Sequence, residues 1–326
     1  MKKSALIFAA ALMLLIARGG TAAPAPRPWK IAILVGQSGP SEDQTTRGIR
    51  DGLKDLGYAE RKNVVVEITD LKGQVTGLDA AAAELVRKRV DLIFASGTRA
   101  TRAAMSATQT IPIVFRHPAD PVGMGFIKSM DRPGGNVTGV TALSPMTVDK
   151  RFAILKEFAP RVRRVHIFYD SNNPFARDNA LSAKATAERF ALEVSDHSVK
   201  TPDELRAALG ALQKTTDDAI FEVSDDLVES QAELVFDAAR QYGMPTIFEG
   251  ADWAIKGSLL SYGANYYQMG RQAAGLMNRI FRGTSPGDIP AEKAKKYDLL
   301  VNLRMARAID LKIPPESLKK ADKVVR

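Results

Sequence analysis

Short apolar runs alternate with segments of helical period along most of this chain. Residues 31–35 form a continuous, largely β-branched run, as expected of a strand that is buried on both faces of a parallel sheet. In the next segment Ile49, Leu53 and Leu56 recur at helical spacing. The pattern therefore predicts a strand over 31–35 and a helix over 45–56.

The same alternation continues to about residue 300. In the first half it predicts strands over 64–69, 91–95 and 111–115 and helices over 78–88 and 98–108. After Pro145 it predicts strands over 164–169, 193–199, 219–223, 245–248, 258–261 and 297–301, with helices over 175–190, from 201, over 227–242 and over 268–281. Alternating strands and helices are typical of open, doubly wound parallel sheets. The fold class predicted is α/β, with two Rossmann-like lobes in tandem.

Length and composition agree with two lobes and exclude several kinds of chemistry. The 326 residues exceed what one hydrophobic core usually serves, and 45% hydrophobic with 25% charged residues is ordinary globular composition. The absence of cysteine excludes a disulfide scaffold, a thiolate zinc site and a cysteine nucleophile. The three histidines are scattered, and the hydrolase, phosphate-loop and dinucleotide patterns are missing. The sequence predicts no enzyme, no metal site and no cofactor.

The N-terminus has the three parts of a secretory signal. Lys2 and Lys3 precede a thirteen-residue apolar run over 5–17, and small residues follow. Thirteen helical residues rise only about 20 Å, too little for a bilayer core of about 30 Å. We expect residues 1–23 to be a cleaved signal peptide and the mature protein to be periplasmic. Its removal lowers the net charge of +9, and no basic stripe with interleaved aromatics predicts a nucleic-acid partner.

Polar residues after the strands are the candidate ligand contacts, because open α/β sheets bind ligands beyond the carboxyl ends of their strands. In the first lobe the candidates are Gln37, Ser38, Ser96, Gly97, Thr98, Arg116 and Asp120. In the second lobe they are Asn172, Asp225, Glu249 and Tyr262.

The two sets differ in chemistry, since the first offers mainly hydroxyls and amides and the second mainly carboxylates. We expect Ser38, Ser96 and Thr98 to donate to a ligand carboxylate at a helix start, and Asp225 to receive an ammonium group. An amino acid has both groups. The alternative, which stays open, is that each residue only caps a helix or forms a turn.

Several separated stretches resemble one family. They are IPIVF at 111–115, DPVG at 120–123, RPGGNVTGV at 132–140, LLSYG at 259–263, YDLLVNL at 297–303 and IPPESL at 313–318. From about residue 30 to its end the chain resembles ABC-transporter substrate-binding proteins of the tryptophan/tyrosine-binding type.

The resemblance implies a type I periplasmic-binding fold with three inter-lobe crossings, a ligand cleft that closes by hinge motion, and no catalysis. Characterised relatives bind aromatic amino acids. Relatives often have a small or apolar residue where Arg116 stands, so we expect Arg116, if it lines the cleft, to pair with an anionic ligand group.

The sequence thus predicts the extracytoplasmic solute-binding component of an ABC importer. The expected ligand is an amino acid, aromatic ones included, or a related carboxylate, and the expected partners are this solute and the permease membrane subunits. We expect a monomer, with lobe 1 over 28–143 plus about 264–292 and lobe 2 over 144–263 plus about 293–326. The alternatives are a ligand-binding sensor subunit of a signalling system and a two-lobed α/β transferase.

Overall fold

Two β-sheets, each covered by helices, organise the chain. The computed structural model describes residues 27–36, 40–72, 74–116, 120–142, 144–250 and 252–326. The predicted signal peptide over 1–23 and the candidates Gln37 and Ser38 lie outside the described residues. Within those ranges no helix is both long and apolar enough to cross a bilayer.

The strands and helices follow one another in alternation. The strands are β1 (Trp29–Val35), β2 (Val64–Asp70), β3 (Leu92–Ser96), β4 (Ile113–Arg116), β5 (Val137–Thr141), β6 (Arg164–Asp170), β7 (Glu193–Val199), β8 (Asp218–Phe221), β9 (Thr246–Glu249), β10 (Leu260–Ala264), β11 (Glu292–Lys293), β12 (Tyr297–Asn302) and β13 (Lys323–Val325). The helices are α1 (Pro40–Asp55), α2 (Leu78–Arg87), α3 (Thr98–Ala107), α4 (Ser144–Phe158), α5 (Pro174–Arg189), α6 (Pro202–Gly210), α7 (Asp226–Ser230), α8 (Ala232–Tyr242), α9 (Trp253–Lys256), α10 (Tyr266–Phe281), α11 (Leu303–Ala308) and α12 (Pro315–Leu318).

The strand order shows two doubly wound sheets, which confirms the predicted fold class. The first sheet has the order β11-β5-β4-β3-β1-β2 and the second the order β13-β12-β10-β9-β8-β6-β7. Among the described strands, pairs in the first sheet are parallel, and in the second only β10 and β12 are antiparallel. We call the first sheet with α1–α3 and α10 the first lobe, and the second sheet with the remaining helices the second lobe. The chain passes between them after β5, after β10 and between β11 and β12.

The continuous apolar run of β1 is explained by helices on both faces of its sheet. Ile31 and Ile33 face a core shared with α1 and α10, whereas Ala32 and Leu34 face a core shared with α2 and α3. A strand covered on both sides needs apolar residues at every position. This sheet therefore has no solvent-facing side at β1.

Several elements differ from the sequence prediction. The single helix expected over 227–242 is divided at Gln231 into α7 and α8. The elements that were not predicted are strands β5, β11 and β13 and helices α4, α9, α11 and α12. In β5, Gly139 lies against Phe115, where a side chain would clash, so the strand lacks the expected apolar pattern. In α4, a buried arginine, Arg151, interrupts the apolar face.

Candidate functional site

The carboxyl-terminal edges of the two sheets approach one another and form a cleft. Gln44 of α1 donates from Nε2 to both carboxylate oxygens of Asp252, at 2.8 and 3.0 Å, and Asp252 follows β9 in the other lobe. At the start of α10, the hydroxyl of Tyr266 lies beside Gly250, 3.1 Å from where a Cβ would stand. These contacts join the lobes at the ends of their strands, where the sequence predicted the ligand.

Arg116 and Ser96 form the wall of the cleft in the first lobe, together with Glu42. Ser96 ends β3 and Arg116 ends β4, at paired positions of neighbouring parallel strands. The guanidinium donates to Ser96 Oγ from Nη2 at 2.6 Å and from Nε at 3.2 Å, and Nη2 also contacts the Glu42 carboxylate. Ser96 Oγ donates to Glu42 Oε1 at 3.0 Å. Arg116 is thus paired with a carboxylate of its own lobe.

Arg116 also covers Tyr266. The carbon of its guanidinium lies 4.8 Å from the ring centroid, within the range of a cation–π contact. Burial raises the pKa of Tyr266, the Arg116 charge opposes this, and the carboxylates of Glu229, Glu249 and Glu42 raise it further. Glu229 and Glu249 belong to the second lobe, so this protonated hydroxyl lies where charges of both lobes converge.

The N-terminus of α3 adjoins this wall. Gly97 has φ +91°, a left-handed conformation that favours glycine, and its N–H donates to the Arg116 carbonyl at 2.9 Å. Helix α3 starts at Thr98 without a side-chain cap from the residue before it. A helix start of this kind offers N–H groups and a positive dipole end to an anion. The predicted carboxylate contacts Ser96 and Thr98, and the candidate Gly97 between them, are therefore next to Arg116.

In the second lobe, Glu249 is held by side chains of α4. Its Oε1 accepts from Thr147 Oγ1 at 3.1 Å, and its Oε2 accepts from Arg151 Nη2 at 3.4 Å. Arg151 Nη1 donates to the Glu222 carbonyl at 2.7 Å and to Glu222 Oε2 at 3.2 Å. The same Oε2 accepts from the Glu249 N–H at 2.7 Å. One buried guanidinium thus binds two carboxylates that lie at the carboxyl ends of the neighbouring strands β8 and β9.

Burial raises the pKa of Glu222 to about 7. The charge of Arg151 lowers that pKa, whereas the charges of Glu249 and Asp225 raise it. Among the described residues, Oε1 of Glu222 and Nε of Arg151 have no hydrogen-bond partner although both atoms are buried. We refer to Arg151, Glu222 and Glu249 as the acidic cluster.

Asp225 lies next to the acidic cluster, and its carboxylate binds backbone N–H groups at the start of α7 and at the end of β6. Its Oδ1 accepts from the N–H of Val228 at 2.9 Å as the cap of α7, and its Oδ2 accepts from the N–H of Asp170 at 3.0 Å. Burial raises the pKa of Asp225. The exposed Asn172 donates from its N–H to Asp170 at 2.8 Å. Asn172 and Asp225 thus each bond to Asp170, and both Asp225 oxygens accept from backbone N–H groups.

Tyr262 lies beside Glu249 of the acidic cluster, near a crossing between the lobes. It pairs with Glu249 across β9 and β10, and its ring stacks on Tyr297 with centroids 5.9 Å apart. Tyr297 donates to the carbonyl of Ala142, which follows β5, at 2.6 Å. Burial raises the pKa of both tyrosines. Tyr262 is thus placed by a contact that spans two of the crossings.

Asp120 stands apart from the other candidates. It is exposed, and its Oδ1 accepts from the N–H groups of Val122 and Gly123 at 3.1 and 2.9 Å. A Cβ at Gly123 would lie within about 3 Å of the Asp120 carboxylate, so the two residues pack closely in this turn. The structure shows Asp120 as a turn residue, and no described contact links it to the cleft.

Sequence reasoning missed Glu42, Gln44, Arg151 and Glu222. Glu42 and Gln44 precede the first apolar position of their helix and look like ordinary first-turn residues. The signal for the other two was present, because Arg151 interrupts the apolar face of its helix and Glu222 stands inside the apolar run AIFEV. Charged residues in such places are rarely buried without a partner. Among the described residues, no group of histidine, aspartate and glutamate is arranged to hold a metal ion.

Comparison with known proteins identifies the family. The family model described as ABC transporter substrate binding protein matches residues 30–325. The chain is 26% identical over 281 residues to a tyrosine-binding protein of Clostridioides difficile, covering 86% of this chain and 81% of the relative. It superposes on a conserved domain protein from Vibrio cholerae with a TM-score of 0.82 at 30% identity, covering 91% of this chain and all of the other.

More distant structures bear on the fold. An ABC domain from Streptococcus pneumoniae in complex with L-Trp superposes with a TM-score of 0.81 at 24% identity, covering 91% of this chain and 100% of that one. A leucine-binding protein of Thermotoga maritima, at 14% identity and a TM-score of 0.58, covers 78% of this chain and 83% of its own. These likenesses confirm the type I periplasmic-binding fold. With a family match over nearly its whole length and two lobes that meet at a polar cleft, the chain belongs to the ABC transporter substrate-binding proteins, a family that binds solutes for a permease and does not catalyse reactions.

Proposed function

We propose that this protein binds an amino acid or a related carboxylate between its lobes and delivers it to the permease of an ABC importer. The observation that carries the proposal is the pairing of opposite chemistries across the cleft. The first lobe presents Arg116 beside the uncapped start of α3, and the second presents the carboxylate of Glu249. A zwitterion has one group for each side.

The carboxylate of the ligand is placed on the first lobe. The N–H groups at the start of α3 and the Thr98 hydroxyl can donate to it. Arg116 contributes Nη1, because its described hydrogen bonds use only Nε and Nη2. Glu42 and Ser96 hold the guanidinium in place from the other side.

The ammonium group is placed on the second lobe at Glu249. Asp225, for which this role was predicted, accepts from two backbone N–H groups at 2.9 and 3.0 Å, so we assign it to the loop beside the ligand. The described hydrogen bonds to Glu249 come from side chains and are longer, at 3.1 and 3.4 Å. The names of two relatives favour an amino acid, since one is a tyrosine-binding protein and one structure contains L-Trp. We infer closure of the two lobes about the three crossings.

Export and subunit organisation belong to the same proposal. Residues 1–23 would be a cleaved signal peptide that directs the mature protein to the periplasm. The mature protein would be a monomer. The proposed lobe boundaries are 28–143 plus about 264–292 for lobe 1 and 144–263 plus about 293–326 for lobe 2. The composition of the two sheets supports these boundaries.

The test is to identify the ligand. Mass spectrometry of small molecules released from the purified mature protein gives candidates, and a thermal-shift screen of amino acids and other carboxylates ranks them. A ligand at 100 times its Kd should add about 2.7 kcal/mol to the free energy of unfolding. If no carboxylate co-purifies or stabilises the protein, the proposal is wrong.

A matched pair of variants tests the placement. Thr98→Ala removes a proposed ligand hydrogen bond and should weaken binding by about 1.5–3 kcal/mol, the usual size when one partner is charged. Thr284→Ala, in the turn after α10, should leave the affinity unchanged. Equal affinities of the two variants would show that Thr98 does not contact the ligand. Uptake into vesicles that contain the permease then separates delivery from sensing.

A further inference from the structure

The acidic cluster contains one more acidic than basic group, and all three groups are buried. Arg151 is 1% exposed, Glu222 2% and Glu249 9%. Among the described residues, the charged groups that face Glu222 are Arg151 from α4, Glu249 from β9 and Asp225 from the start of α7, and two of these three are acids. An uncompensated charge in such a place is costly. Counted over its three groups with both acids ionised, the cluster carries one negative charge, which one added positive charge would balance.

Glu222 can take up that positive charge by binding a proton at Oε1. Its Oε2 accepts from the Arg151 guanidinium and from the Glu249 N–H, whereas its buried Oε1 has no partner among the described residues. A carboxyl group protonated at Oε1 keeps both hydrogen bonds at Oε2. Burial and the neighbouring acids, which raise the pKa of Glu222 to about 7, favour the same state.

Glu249 connects the cluster with the cleft. It ends β9, directly before Gly250, and its charge contributes to the raised pKa of Tyr266 and of Tyr297 at the lobe crossings. An ammonium group bound at Glu249 supplies the positive charge that the cluster lacks. Once it is bound, the proton on Glu222 becomes an excess charge.

We propose that the acidic cluster exchanges a proton for the ligand: Glu222 holds one proton while the cleft is empty and releases it to solvent when an ammonium group binds at Glu249. Arg151 and Glu222 are then positioning residues, which act on the ligand through Glu249. This inference rests on the proposed function, because it requires a ligand that carries an ammonium group.

The exchange predicts pH-dependent affinity. If one proton leaves for each ligand bound, the Kd rises about tenfold for each pH unit below the titration of Glu222 and is constant above it. A purely structural role of Glu222 would weaken or strengthen binding equally at every pH. The slope against pH therefore separates the two roles.

The first experiment needs no ligand. In carbon-13 spectra of protein labelled at glutamate, the carboxyl signal that Glu222→Gln removes should titrate near pH 7. Glu249→Gln should shift this titration to lower pH, because it removes a neighbouring negative charge. Glu188→Gln, on the exposed surface of α5, should leave it unchanged. A Glu222 signal that titrates below pH 5 would overturn the proposal.

The second experiment uses the L-amino acids singly as probes in titration calorimetry. In buffers of different ionisation enthalpy at pH 6, the wild type should release about one proton per ligand, and Glu222→Gln should release none and lose the pH dependence. Binding without proton release refutes the exchange. If only carboxylates without an ammonium group bind, the exchange is refuted while the proposed carboxylate-binding function stands; if nothing binds, both fail. The ligand-free titration reports the charge state of the cluster in either case.

Discussion

Helices α1 and α10 cross so closely that the stability of the first lobe should depend on Gly270. A Cβ at Gly270 would lie 2.9 Å from the backbone nitrogen of Ile49 and nearer still to the carbonyl oxygen of Thr45. Both neighbours are backbone atoms, so they cannot move aside as a side chain would. We predict that Gly270→Ala forces the helices apart and destabilises the protein.

The magnitude follows from two opposing effects. Alanine gains about 0.5–1 kcal/mol over glycine inside a helix. Overpacking a well-packed contact usually costs about 1–3 kcal/mol, and this contact lies at the upper end because it involves backbone. The expected net loss is about 1–2 kcal/mol. Gly275, one and a half turns later in the same helix, has no atom within 4 Å of its Cβ position, so Gly275→Ala should gain about 0.5–1 kcal/mol.

Urea unfolding followed by circular dichroism measures both variants against the wild type. The two substitutions make the same chemical change in one helix, so their difference isolates the contact with α1. The cleft provides a second readout, because α1 carries Glu42 and Gln44 and α10 begins at Tyr266. Gly270→Ala should also weaken ligand binding, whereas Gly275→Ala should not. Equal stability of the two variants would refute the reasoning.

Three further predictions concern the cleft and the second lobe. Arg116→Met should lower the free energy of unfolding in urea by about 1.5–3 kcal/mol, because Glu42 loses a charged hydrogen bond, and a variant as stable as the wild type would contradict the pairing. Gln44→Ala should raise the ligand Kd in calorimetry about tenfold or more by removing the inter-lobe bond to a carboxylate, with the exposed Gln109→Ala as a neutral control. Burial, together with the charge of His166, lowers the pKa of His197 to about 4, so the unfolded chain binds the extra proton first and stability should fall as the pH drops from about 6.5 to 4. His197→Gln should flatten this fall in urea titrations, and an unchanged slope would show that His197 does not cause it.

The sequence predicted the fold well because each strand covered on both faces must be apolar throughout. Such runs are visible without any knowledge of tertiary structure, as at 31–35 and 91–95. Helix α4 was missed because its contacts are not those of an amphipathic surface helix. It buries Arg151, a residue type that a pattern of apolar and polar positions assigns to solvent. Prediction failed where a tertiary partner reverses the usual preference of a residue.

The sequence predicted where the candidate site lies better than it predicted which residues contact one another there. Strand ends in a parallel sheet meet at one edge, so Ser96 and Arg116 could be placed together from the sequence alone. The partner of Arg116 could not, because Glu42 is 74 residues away and belongs to another element. Likewise, Asp225 follows a strand as predicted, but its local hydrogen bonds depend on the backbone of α7 and of β6. Which carboxylate is available to a ligand is decided by such contacts and not by spacing.

Within each lobe, side-chain contacts hold the groups that line the cleft. In the first lobe, the close crossing of α1 and α10 fixes Glu42 and Gln44 relative to Tyr266, and Arg116 fills the space between them. In the second lobe, Arg151 ties the ends of β8 and β9 together. Prearranged polar groups lose little conformational entropy on binding, so a ligand that bridges the halves retains more of its interaction energy. The bond from Gln44 to Asp252 joins the two lobes across the cleft, so its presence or absence would report the lobe closure proposed above.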